Sequence, residues 1–356
     1  MPAKKVKVAV TGLGVSWESF LKEYVAAPET ELVLLHDINA EWARKVSDEY
    51  GGVPWTTDFG DVLKSDADMV DVSTPNHVHA EQAIAALEAG KHVLCQKPMA
   101  PTVADCRRMV EAAHRTGKTL GMFMCMLGEP IVRDVRRMHR EGYFGKVASV
   151  RIRSAHRAPF LEKGRHGWRA RKENVGGGSF MQLGVHLVNY IEYALEQSIT
   201  SVTGYAKNLY CRHSIEGEDV VAAAGELESG ALITMDTGYS SVGNSVEIYG
   251  TEGHFVRAER EVFVELARDF EGDVVSYKRP SSESATVRLD LAARKEQIAT
   301  LHAEMNQNRA FARAILAGKP APVSAEAGMR DVAIVQAIYR SSETGRRVSV
   351  DEILSE

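Results

Sequence analysis

The chain has 356 residues, of which 44% are hydrophobic and 26% charged, and its formal net charge is −5. This length and composition suit two globular domains with a large core, and the mild negative charge argues against a general nucleic-acid-binding protein. No apolar run approaches the length of a membrane span, and no signal-peptide stretch follows the first residues, so we expect no membrane partner.

The cysteines give a first indication of compartment and metal content. Neither a metal-site spacing nor a CxxC motif occurs among the four, which are Cys95, Cys106, Cys125 and Cys211. We therefore predict reduced thiols, most of them buried, in a cytoplasmic protein without a bound metal.

The first predicted strand leads into a glycine turn. Residues 6–11 have a strand pattern, Gly12-Leu13-Gly14 follows at once, and residues 16–27 have a helix pattern. The first glycine permits a tight turn, and the second lets a pyrophosphate approach the positive end of the helix. Trp17 stands where a third glycine is expected, so an ordinary turn is the alternative. The predicted cofactor contacts are Gly12, Gly14, Val15, Ser16 and Trp17.

The second predicted strand, residues 31–37, ends in an acid. Asp37 lies 23 residues beyond Gly14, a spacing at which a carboxylate accepts hydrogen bonds from the adenosine ribose. The same carboxylate would repel a 2′-phosphate, so the pattern predicts NAD rather than NADP. The alternative is that Asp37 or Asn39 caps the next helix, predicted over residues 40–50.

Strands and helices then continue to alternate. We predict strands at 68–73, 91–94 and 119–124, with helices over 77–89 and 102–116. This alternation predicts a parallel sheet with right-handed crossovers, whose ligands lie beyond the carboxyl ends of the strands. Further predicted cofactor contacts at these ends are Ser73, Thr74, Asn76, Gln96 and Lys97. For the lysine, an ordinary solvated side chain is the alternative.

Two stretches carry a resemblance to a known family. Residues 73–81, Ser-Thr-Pro-Asn-His-Val-His-Ala-Glu, and 89–98, Ala-Gly-Lys-His-Val-Leu-Cys-Gln-Lys-Pro, resemble the glucose-fructose oxidoreductase and inositol dehydrogenase (Gfo/Idh/MocA) family. Its members carry a Thr-Pro-Asn turn, a helix and Glu-Lys-Pro, and Gln96 replaces the glutamate here. The resemblance implies NAD as cofactor, a cofactor contact at His79, and a Lys97 that reaches both the nicotinamide and the substrate hydroxyl.

The strict alternation stops near Met126. We therefore predict an NAD-binding Rossmann domain over residues 1–126 and a substrate-binding and oligomerisation domain over residues 127–356. A dense basic stretch follows in the second half of the chain, formed by Arg151, Arg153, His156, Arg157, Lys163, Arg165, His166, Arg169, Arg171 and Lys172.

This basic stretch has two interpretations. It is a solvated surface loop that balances acidic residues elsewhere, or it is a pocket whose arginines grip the carboxylate, phosphate or sulfonate of an acidic substrate. The presence of Phe160 and Trp168 within the stretch favours a packed wall. The predicted substrate contacts are Arg153, Arg165, Trp168 and Arg169.

A second informative stretch, residues 176–190, reads Gly-Gly-Gly-Ser-Phe-Met-Gln-Leu-Gly-Val-His-Leu-Val-Asn-Tyr. Its three glycines mark a helix start where backbone lies close to a ligand or to another strand. Gln182 and His186 are four residues apart, so they would share one face of the helix. A histidine on a helix is more often structural than catalytic, and the residues alone leave its role open.

The family resemblance assigns roles to this stretch. In the family, three glycines precede Asp-x-Gly-x-His-x-x-Asp, and the histidine that is commonly the general acid/base matches His186. Gln182 and Asn189 stand at the two aspartates. The usual Lys-Asp-His trio therefore becomes Lys97, Gln182 and His186. A glutamine can orient a hydroxyl group but cannot carry a proton.

Beyond residue 200, strand-like segments joined by short turns predict a mostly antiparallel sheet. Two helices are predicted over residues 297–317 and 325–340, with a linker at 319–323. The predicted fold class is α/β, an N-terminal Rossmann domain plus a C-terminal α/β domain with a large, mostly antiparallel open sheet. Because an open sheet needs cover, we expect a homo-oligomer, either a dimer or a tetramer.

Three functions fit these residues. The first is an NAD-dependent oxidoreductase that acts on a hydroxyl of a sugar, cyclitol or related polyol, including an acidic one. The second is a redox-neutral, NAD-dependent glycosidase on acidic or sulfonated sugar glycosides, working by oxidation, elimination, hydration and reduction. The third is a non-catalytic NAD-binding sensor, which the retention of Lys97 and His186 argues against. The expected partner of an enzyme is a small-molecule carbohydrate.

Overall fold

The structure is a computed structural model, and the residues that it describes are 4–14, 17–157, 167–211, 213–279 and 286–356. For residues 17–20 and 302–305 the description covers the backbone. Within these ranges, no helix combines the length and the apolar character needed to cross a membrane. The chain divides into two compact units: a first unit of Met1–Met124 and Met305–Met329, and a second unit of Cys125–Glu304 and Arg330–Glu356.

The first unit is built around a parallel sheet. Its described strands are β1 (Val6–Thr11), β2 (Thr30–His36), β3 (Trp55–Thr56), β4 (Met69–Val72), β5 (His92–Gln96) and β6 (Leu120–Phe123). Its first helices are α1 (Trp17–Ala26), α2 (Ala40–Glu49), α3 (Phe59–Lys64), α4 (Asn76–Glu88) and α5 (Val103–Thr116). The order is β3-β2-β1-β4-β5-β6 with parallel neighbours, which confirms the predicted Rossmann sheet. The order reverses between β1 and β4, whose carboxyl ends therefore frame a crevice.

Apolar side chains explain why these segments form a buried sheet. β4 is buried along its whole length, and β1 is buried except at Lys7. Parallel strands covered on both faces need such continuous apolar runs. The flanking helices end at ordinary signals, as α5 illustrates: Thr102 accepts a hydrogen bond from the Asp105 N–H, and Gly117 ends the helix with φ 65°.

The second unit is built around a mixed sheet. The described strands that follow β6 are β7 (Val147–Ala155), β8 (Ile199–Lys207), β9 (Val220–Leu227), β10 (Leu232–Gly238), β11 (Gly243–Gly250), β12 (Gly253–Ala258), β13 (Glu261–Leu266), β14 (Phe270–Glu271), β15 (Ser276–Tyr277), β16 (Val287–Asp290) and β17 (Val348–Ser349). The main sheet has the order β16-β13-β12-β11-β7-β10-β9-β8-β17, while β14 pairs with β15. Its neighbours are antiparallel except β7 and β10, so the predicted mostly antiparallel sheet is confirmed.

The later helices begin after β6. They are α6 (Pro130–Arg140), α7 (Lys172–Val175), α8 (Val185–Leu195), α9 (Lys295–Met305), α10 (Gln307–Leu316), α11 (Ala325–Thr344) and α12 (Val350–Ser355). The prediction of one continuous helix over 297–317 was wrong, because Asn306 separates α9 from α10. Its side chain accepts hydrogen bonds from the N–H groups of Asn308 and Arg309, and such an asparagine cap begins a new helix.

The two faces of the second-unit sheet differ in burial. Along β7, Val150 and Ile152 are buried, while Arg153 points to the opposite face because side chains alternate along a strand. That opposite face, which we call the open face, also carries Tyr205 and Leu232. These two side chains are 69% and 61% exposed.

Residues Met305–Met329 belong to the first unit although they follow most of the second unit in sequence. Phe311 lies in the core of the first unit, and a Cβ at Gly121 would lie 2.6 Å from its ring. At the end of the predicted linker, the Val323 carbonyl accepts a hydrogen bond from the Met122 N–H, and the next residue, Ser324, pairs with Gly121. The predicted domain boundaries at 1–126 and 127–356 did not anticipate this return of the chain.

Candidate active site

The two glycines of the turn after β1 differ in what surrounds them. Gly12 has φ 85°, and a Cβ there would lie 2.7 Å from the Thr74 backbone nitrogen, so this close approach requires glycine. A Cβ at Gly14 would meet no described atom within 4 Å, so the space beside this residue is open. α1 begins at Trp17, while the predicted contacts Val15 and Ser16 lie outside the described residues.

Asp37 follows β2 and faces the same turn. Its two carboxylate oxygens accept hydrogen bonds from the N–H groups of Leu13 and Asn39, each at 2.9 Å. Each oxygen keeps a further lone pair, with which the carboxylate can accept hydrogen bonds from ribose hydroxyls. The cap of α2 is Asn39, whose Oδ1 accepts from the Trp42 N–H at 3.0 Å. The capping interpretation therefore applies to Asn39, and Asp37 belongs to the glycine turn.

A buried acid supports the loop after β4. Ser73 Oγ donates to Asp71 Oδ1 at 2.5 Å, and the Tyr24 hydroxyl donates to Asp71 Oδ2 at 2.6 Å. Burial raises the pKa of Asp71 to about 6. Asn76, the first residue of α4, is also buried. The predicted contacts Ser73 and Asn76 thus lie directly after the carboxyl end of β4, which borders the crevice between β1 and β4.

His79 ties two loops together. Its Nε2 lies 2.7 Å from the Thr74 carbonyl oxygen, and its Nδ1 lies 3.1 Å from that of Pro98. The side chain is 1% exposed, and burial lowers the pKa of the imidazole although both carbonyls act to raise it. The Thr74 hydroxyl in turn donates to Gln82 Oε1 at 2.7 Å. His79 therefore supports the loops that carry Thr74 and the lysine before Pro98.

Gln96 and Lys97 lie at the carboxyl end of β5. Gln96 ends the strand, and Lys97 follows it with a half-buried side chain. The Nε2 atom of Gln96 is buried and finds no hydrogen-bond partner among the described residues. A buried donor without an acceptor is unfavourable unless a ligand supplies one. This donor, the open space at Gly14 and the Asp37 carboxylate together fit a bound dinucleotide such as NAD.

The glycine run after α7 packs against protein atoms. A Cβ at Gly177 would lie 2.0 Å from the Tyr339 hydroxyl, and one at Gly178 would lie 1.9 Å from the Glu218 carbonyl oxygen. These contacts with neighbouring segments require glycine. Of the two explanations that the sequence left open for this run, a ligand or a neighbouring segment, the described contacts match the second.

Glu218 is a buried acid that the sequence analysis did not identify. Its Oε1 accepts hydrogen bonds from the Phe180 N–H at 2.8 Å and from the Tyr339 hydroxyl at 2.9 Å. Burial raises the pKa of this carboxyl to about 7. Because Phe180 begins the turn that contains Gln182, Glu218 holds the start of the helical segment that leads to His186.

A π-helical turn, Phe180–Gly184, precedes α8. Such turns are rare and often occur at functional sites. Gln182 is buried within it, and its Oε1 accepts a hydrogen bond from Arg169 Nη1 at 3.5 Å. The Arg169 guanidinium stacks over the Trp168 ring at 4.4 Å, and burial lowers the pKa of Arg169. Arg169, stacked on Trp168, thus contacts the turn that leads to the candidate histidine.

His186 lies in the first turn of α8 and lines a cavity of about 260 Å³, which we call the His186 cavity. Its Nδ1 lies 3.7 Å from Sγ of Cys125, an exposed thiol that lines the same cavity. Other residues of this lining are Glu129, Ser154, Asn244 and Arg257. The cavity therefore places an imidazole, a thiol and several polar groups around one space.

The described residues of the basic stretch are not among those that line the His186 cavity. Ser154 of β7 lines the His186 cavity, whereas Arg153, one residue before it, lies on the open face and forms an ion pair with Asp236. Arg165 lies outside the described residues. Among the predicted substrate contacts in this stretch, Arg169 is the one shown to reach the π-helical turn, and it stacks over the Trp168 ring.

Asn189, at the position of the second family aspartate, forms a buried acid–amide pair. Its Nδ2 donates to Asp331 Oδ2 at 2.9 Å, and both residues are buried. Burial, reinforced by the nearby Glu192 carboxylate, raises the pKa of Asp331 well above its usual range. Asp331 Oδ1 and Asn189 Oδ1 are both buried without a described partner, and the raised pKa favours a proton on the acid.

Three groups around the π-helical turn and the His186 cavity were not predicted from the sequence. Cys125 follows β6 by two residues, and this strand-end position is a signal that could have identified it. Glu218 and Arg257 carry no comparable signal, because their positions depend on packing between segments that are distant in sequence.

Both parts of the chain match models of one protein family. Residues 6–124 match the GFO_IDH_MocA oxidoreductase family, NAD-binding Rossmann fold, and residues 136–350 match its C-terminal alpha/beta domain. Among solved structures, a levoglucosan dehydrogenase in complex with NADH and levoglucosan has a TM-score of 0.85 at 22% identity. It covers 98% of this chain and 100% of its own.

Two curated relatives extend this comparison. 1,5-Anhydro-D-fructose reductase of Ensifer adhaerens is 29% identical over 263 residues, which cover 70% of this chain and 76% of the relative. D-Glucoside 3-dehydrogenase of Escherichia coli (strain K12) is 26% identical over 369 aligned positions, which cover 98% of this chain and 99% of the relative. The substrates in these names are those of the relatives.

Proposed function

Because this chain belongs to the Gfo/Idh/MocA oxidoreductase family, we propose that it oxidises a hydroxyl group of a sugar, cyclitol or related polyol. The matches over residues 6–124 and 136–350 confirm the family resemblance, and the matched Rossmann domain identifies NAD as the cofactor. The reductase and the dehydrogenases found as relatives support a small-molecule carbohydrate substrate.

One observation carries the proposal: His186 lines a cavity together with the polar residues Ser154 and Asn244. We assign His186 as the general base that takes the hydroxyl proton while the hydrogen on the same carbon leaves as hydride. An imidazole titrates near neutral pH and is suited to this transfer. NAD, when bound, supplies the hydride acceptor.

Cys125 orients this base. If Nδ1 of His186 holds the ring proton, its N–H donates to Cys125 Sγ, and Nε2 carries the lone pair that accepts the hydroxyl proton. The hydrogen bond made by one ring nitrogen thereby selects the tautomer. The sulfur thus has the orienting role that a carboxylate or a carbonyl often has beside a functional histidine.

Lys97 and Gln182 take the roles that the family resemblance implies. The Lys97 ammonium would stabilise the hydroxyl oxygen as the proton leaves, because a fixed positive charge favours developing negative charge. Gln182, which accepts a hydrogen bond from Arg169, would orient a substrate hydroxyl. Since an amide does not titrate, proton transfer is left to His186.

The residues that would hold NAD follow the strands of the parallel sheet. Gly12 and Gly14 would lie against the pyrophosphate, and Asp37 would accept hydrogen bonds from the adenosine ribose. Gln96 Nε2 would donate to an oxygen of the cofactor and so satisfy its buried amide. The Asp37 carboxylate would repel a 2′-phosphate, which favours NAD over NADP.

Two finer proposals concern the substrate. An acidic sugar would be bound by Arg169, the described cation of the basic stretch that contacts Gln182. The glycosidase alternative would share the first oxidation and the base His186, and it would return the hydride after elimination and hydration. It would therefore cleave a glycoside without net formation of NADH.

We also propose that a homo-oligomer, a dimer or a tetramer, covers the open face. Tyr205 and Leu232 on this face are 69% and 61% exposed, and burial of such side chains between copies of the chain would stabilise association. A cytoplasmic location stays a prediction.

The test is a panel of free sugars, cyclitols, uronic acids and their glycosides with NAD, monitored by NADH absorbance and by product analysis. We expect NADH from at least one polyol, loss of this activity in His186→Asn, and normal activity in His213→Asn, which changes an exposed histidine. Glycoside cleavage without net NADH would select the glycosidase. Nucleotide binding without turnover of any compound would select the sensor.

A further inference from the structure

A larger cavity adjoins the His186 cavity in the second unit. Its volume is about 430 Å³, compared with about 260 Å³ for the His186 cavity. Glu129, Arg257 and Glu259 line both, so these three residues form the boundary between them. The His186 cavity alone is smaller than the ~300–1,000 Å³ of typical ligand sites, and the adjoining space brings the pair into that range.

The larger cavity, which we call the Leu291 cavity, has a different chemistry from its neighbour. The apolar residues of its lining are Pro130, Ile131, Val274, Leu291, Ala292 and Ile298. They come from the start of α6, the segment before β15, the turn after β16 and helix α9. Arg260 and Lys295 also line it, and both are exposed, so the charged groups lie towards solvent.

The charged groups of the boundary already have partners. Arg257 and Glu129 form an ion pair whose side chains are 22% and 30% exposed. Burial acts to lower the pKa of Arg257, but the Glu129 carboxylate outweighs it and the net shift is upward. Glu259 accepts a hydrogen bond from the Asn244 N–H at 2.7 Å. A ligand that crosses this boundary therefore needs no charge of its own there.

We propose that the Leu291 cavity binds an apolar group attached to the sugar, so that the substrate is an alkyl or aryl glycoside rather than a free sugar. This proposal rests on the proposed function, because it places the sugar ring in the His186 cavity. A free sugar that lies in the His186 cavity has no apolar substituent to extend into the Leu291 cavity, so it gains little from that wall. An alkyl chain gains about three- to fourfold in binding for each buried methylene.

The test compares kcat/KM for free sugars with their methyl, butyl and hexyl glycosides in the NAD-supplied protein and in two variants. Ala292 is exposed and lines the Leu291 cavity, so Ala292→Trp fills the cavity without inserting a ring into the core. Ala293, its exposed neighbour, is outside this lining, and Ala293→Trp is the matched control.

We expect kcat/KM to rise at least tenfold from the methyl to the hexyl glycoside in the unaltered protein and in Ala293→Trp. In Ala292→Trp the rise should disappear, while the methyl glycoside keeps its kcat/KM within about twofold. A flat series in the unaltered protein, or a rise that survives Ala292→Trp, would overturn the proposal.

Probe binding, which requires no turnover, tests the Leu291 cavity independently of the proposed function. The fluorescent probe 1-anilinonaphthalene-8-sulfonate should bind saturably to the unaltered protein and to Ala293→Trp, and hexyl glucoside should displace it. Ala292→Trp should bind the probe at least tenfold more weakly. If neither free sugars nor glycosides are turned over but this pattern holds, the proposed function fails and the apolar site stands. Equal probe binding by all three proteins overturns the site.

Discussion

The two units assemble their candidate residues in different ways. In the first unit these residues directly follow the strands of one sheet: Gly12 and Gly14 after β1, Asp37 after β2 and Lys97 after β5. In the second unit, His186 and Arg257 come from distant segments and meet in one cavity. In the first unit, the position of a residue directly after a strand predicts that it lies near the site. In the second unit, packing between segments distant in sequence determines which residues meet.

Glycine shows the same contrast. At Gly14 the space for a side chain is open, and a ligand is what would require the missing Cβ. At Gly177 and Gly178 a Cβ would collide with Tyr339 and with the Glu218 backbone, so the protein itself requires glycine. Gly14 therefore indicates a ligand, whereas Gly177 and Gly178 indicate internal packing, as does Gly12 beside the Thr74 backbone. The following predictions test this difference.

The largest expected effect concerns Lys97. It tests the expectation that residues directly after the strands of the parallel sheet carry the chemistry. Lys97→Ala should lower kcat by about 10²–10³-fold, because it removes the charge that stabilises the reacting oxygen, while the Kd for NADH changes little. The measurements are steady-state kinetics and a fluorescence titration with NADH. Lys64→Ala, which changes an exposed lysine at the end of α3, is the control. Near-normal turnover in Lys97→Ala would show that the strand end does not mark the chemistry.

Packing in the second unit is tested at Glu218. Its folded-state pKa of about 7 exceeds the usual 4.5, so between these values the folded protein binds more protons than the unfolded chain. The free energy of unfolding should therefore fall by about 3 kcal/mol as the pH rises through this window, and level off above it. Glu218→Gln should remove this contribution, measured by denaturant unfolding at pH 5 and pH 8.

Asp71 in the first unit contributes a slope of the same sign, since burial raises its pKa to about 6. The decisive quantity is therefore the difference between Glu218→Gln and the unaltered protein at each pH. If both proteins lose the same free energy between pH 5 and pH 8, the buried-acid account of Glu218 is wrong.

The cofactor preference of the first unit is tested at Asp37. The double change Asp37→Ser with Ile38→Arg should move the ratio of NAD to NADP use by about ten- to a hundredfold towards NADP. Ile38 is 89% exposed, so the arginine needs no space in the core. Ile38→Arg alone is the control and should move the ratio less. An unaltered protein that prefers NADP would contradict the role of Asp37.

In the second unit, Gln182 departs from the family aspartate. Gln182→Asp should lower kcat/KM about tenfold on the true substrate, because a carboxylate one turn before His186 favours the imidazolium, which cannot accept a proton. The new carboxylate would also pair with Arg169 and repel an acidic substrate. The measurement is kcat/KM across pH, with Gln182→Asn as the amide control. An equal or faster aspartate variant at every pH would reject both effects.

The smallest expected effect concerns Cys125. Cys125→Ala should lower kcat about two- to tenfold with little change in KM, and Cys125→Ser, which keeps an acceptor, should recover most of the loss. The pH profile of kcat should shift in the alanine variant, because the histidine tautomer is no longer fixed. Cys211→Ala is the control. Identical pH profiles in the alanine variant and the unaltered protein would leave Cys125 without an orienting role.

The sequence predicts those parts of the fold that depend on local patterns of apolar residues, glycines and turns. Alternating strands and helices specified the parallel sheet, and the strand-end residues Asp37 and Lys97 follow β2 and β5 as predicted. In the second half, short strands and turns indicated an antiparallel sheet, but they do not specify which face a side chain occupies. Arg153 illustrates this limit, because one residue of register separates it from the cavity-lining Ser154.

The features that the sequence did not reveal depend on contacts between distant segments. The return of Met305–Met329 to the first unit rests on Phe311 filling space beside Gly121. The position of Glu218 rests on Phe180 and Tyr339, which are far from it in the chain. Helical periodicity over 297–317 also concealed the cap at Asn306, since an asparagine in a helical pattern can lie inside a helix or begin one.

The return of Met305–Met329 also has a consequence for biosynthesis. During translation, residues 1–124 leave the ribosome first, and Phe311 is made only after the whole segment 125–304 has followed. Until then the first unit lacks the Phe311 side chain, which packs beside Gly121 and belongs to the same apolar cluster as Val10 and Leu94. The first unit, although its synthesis begins first, is therefore completed only after most of the second unit has been made, and we expect the nascent chain to be prone to aggregation during that interval.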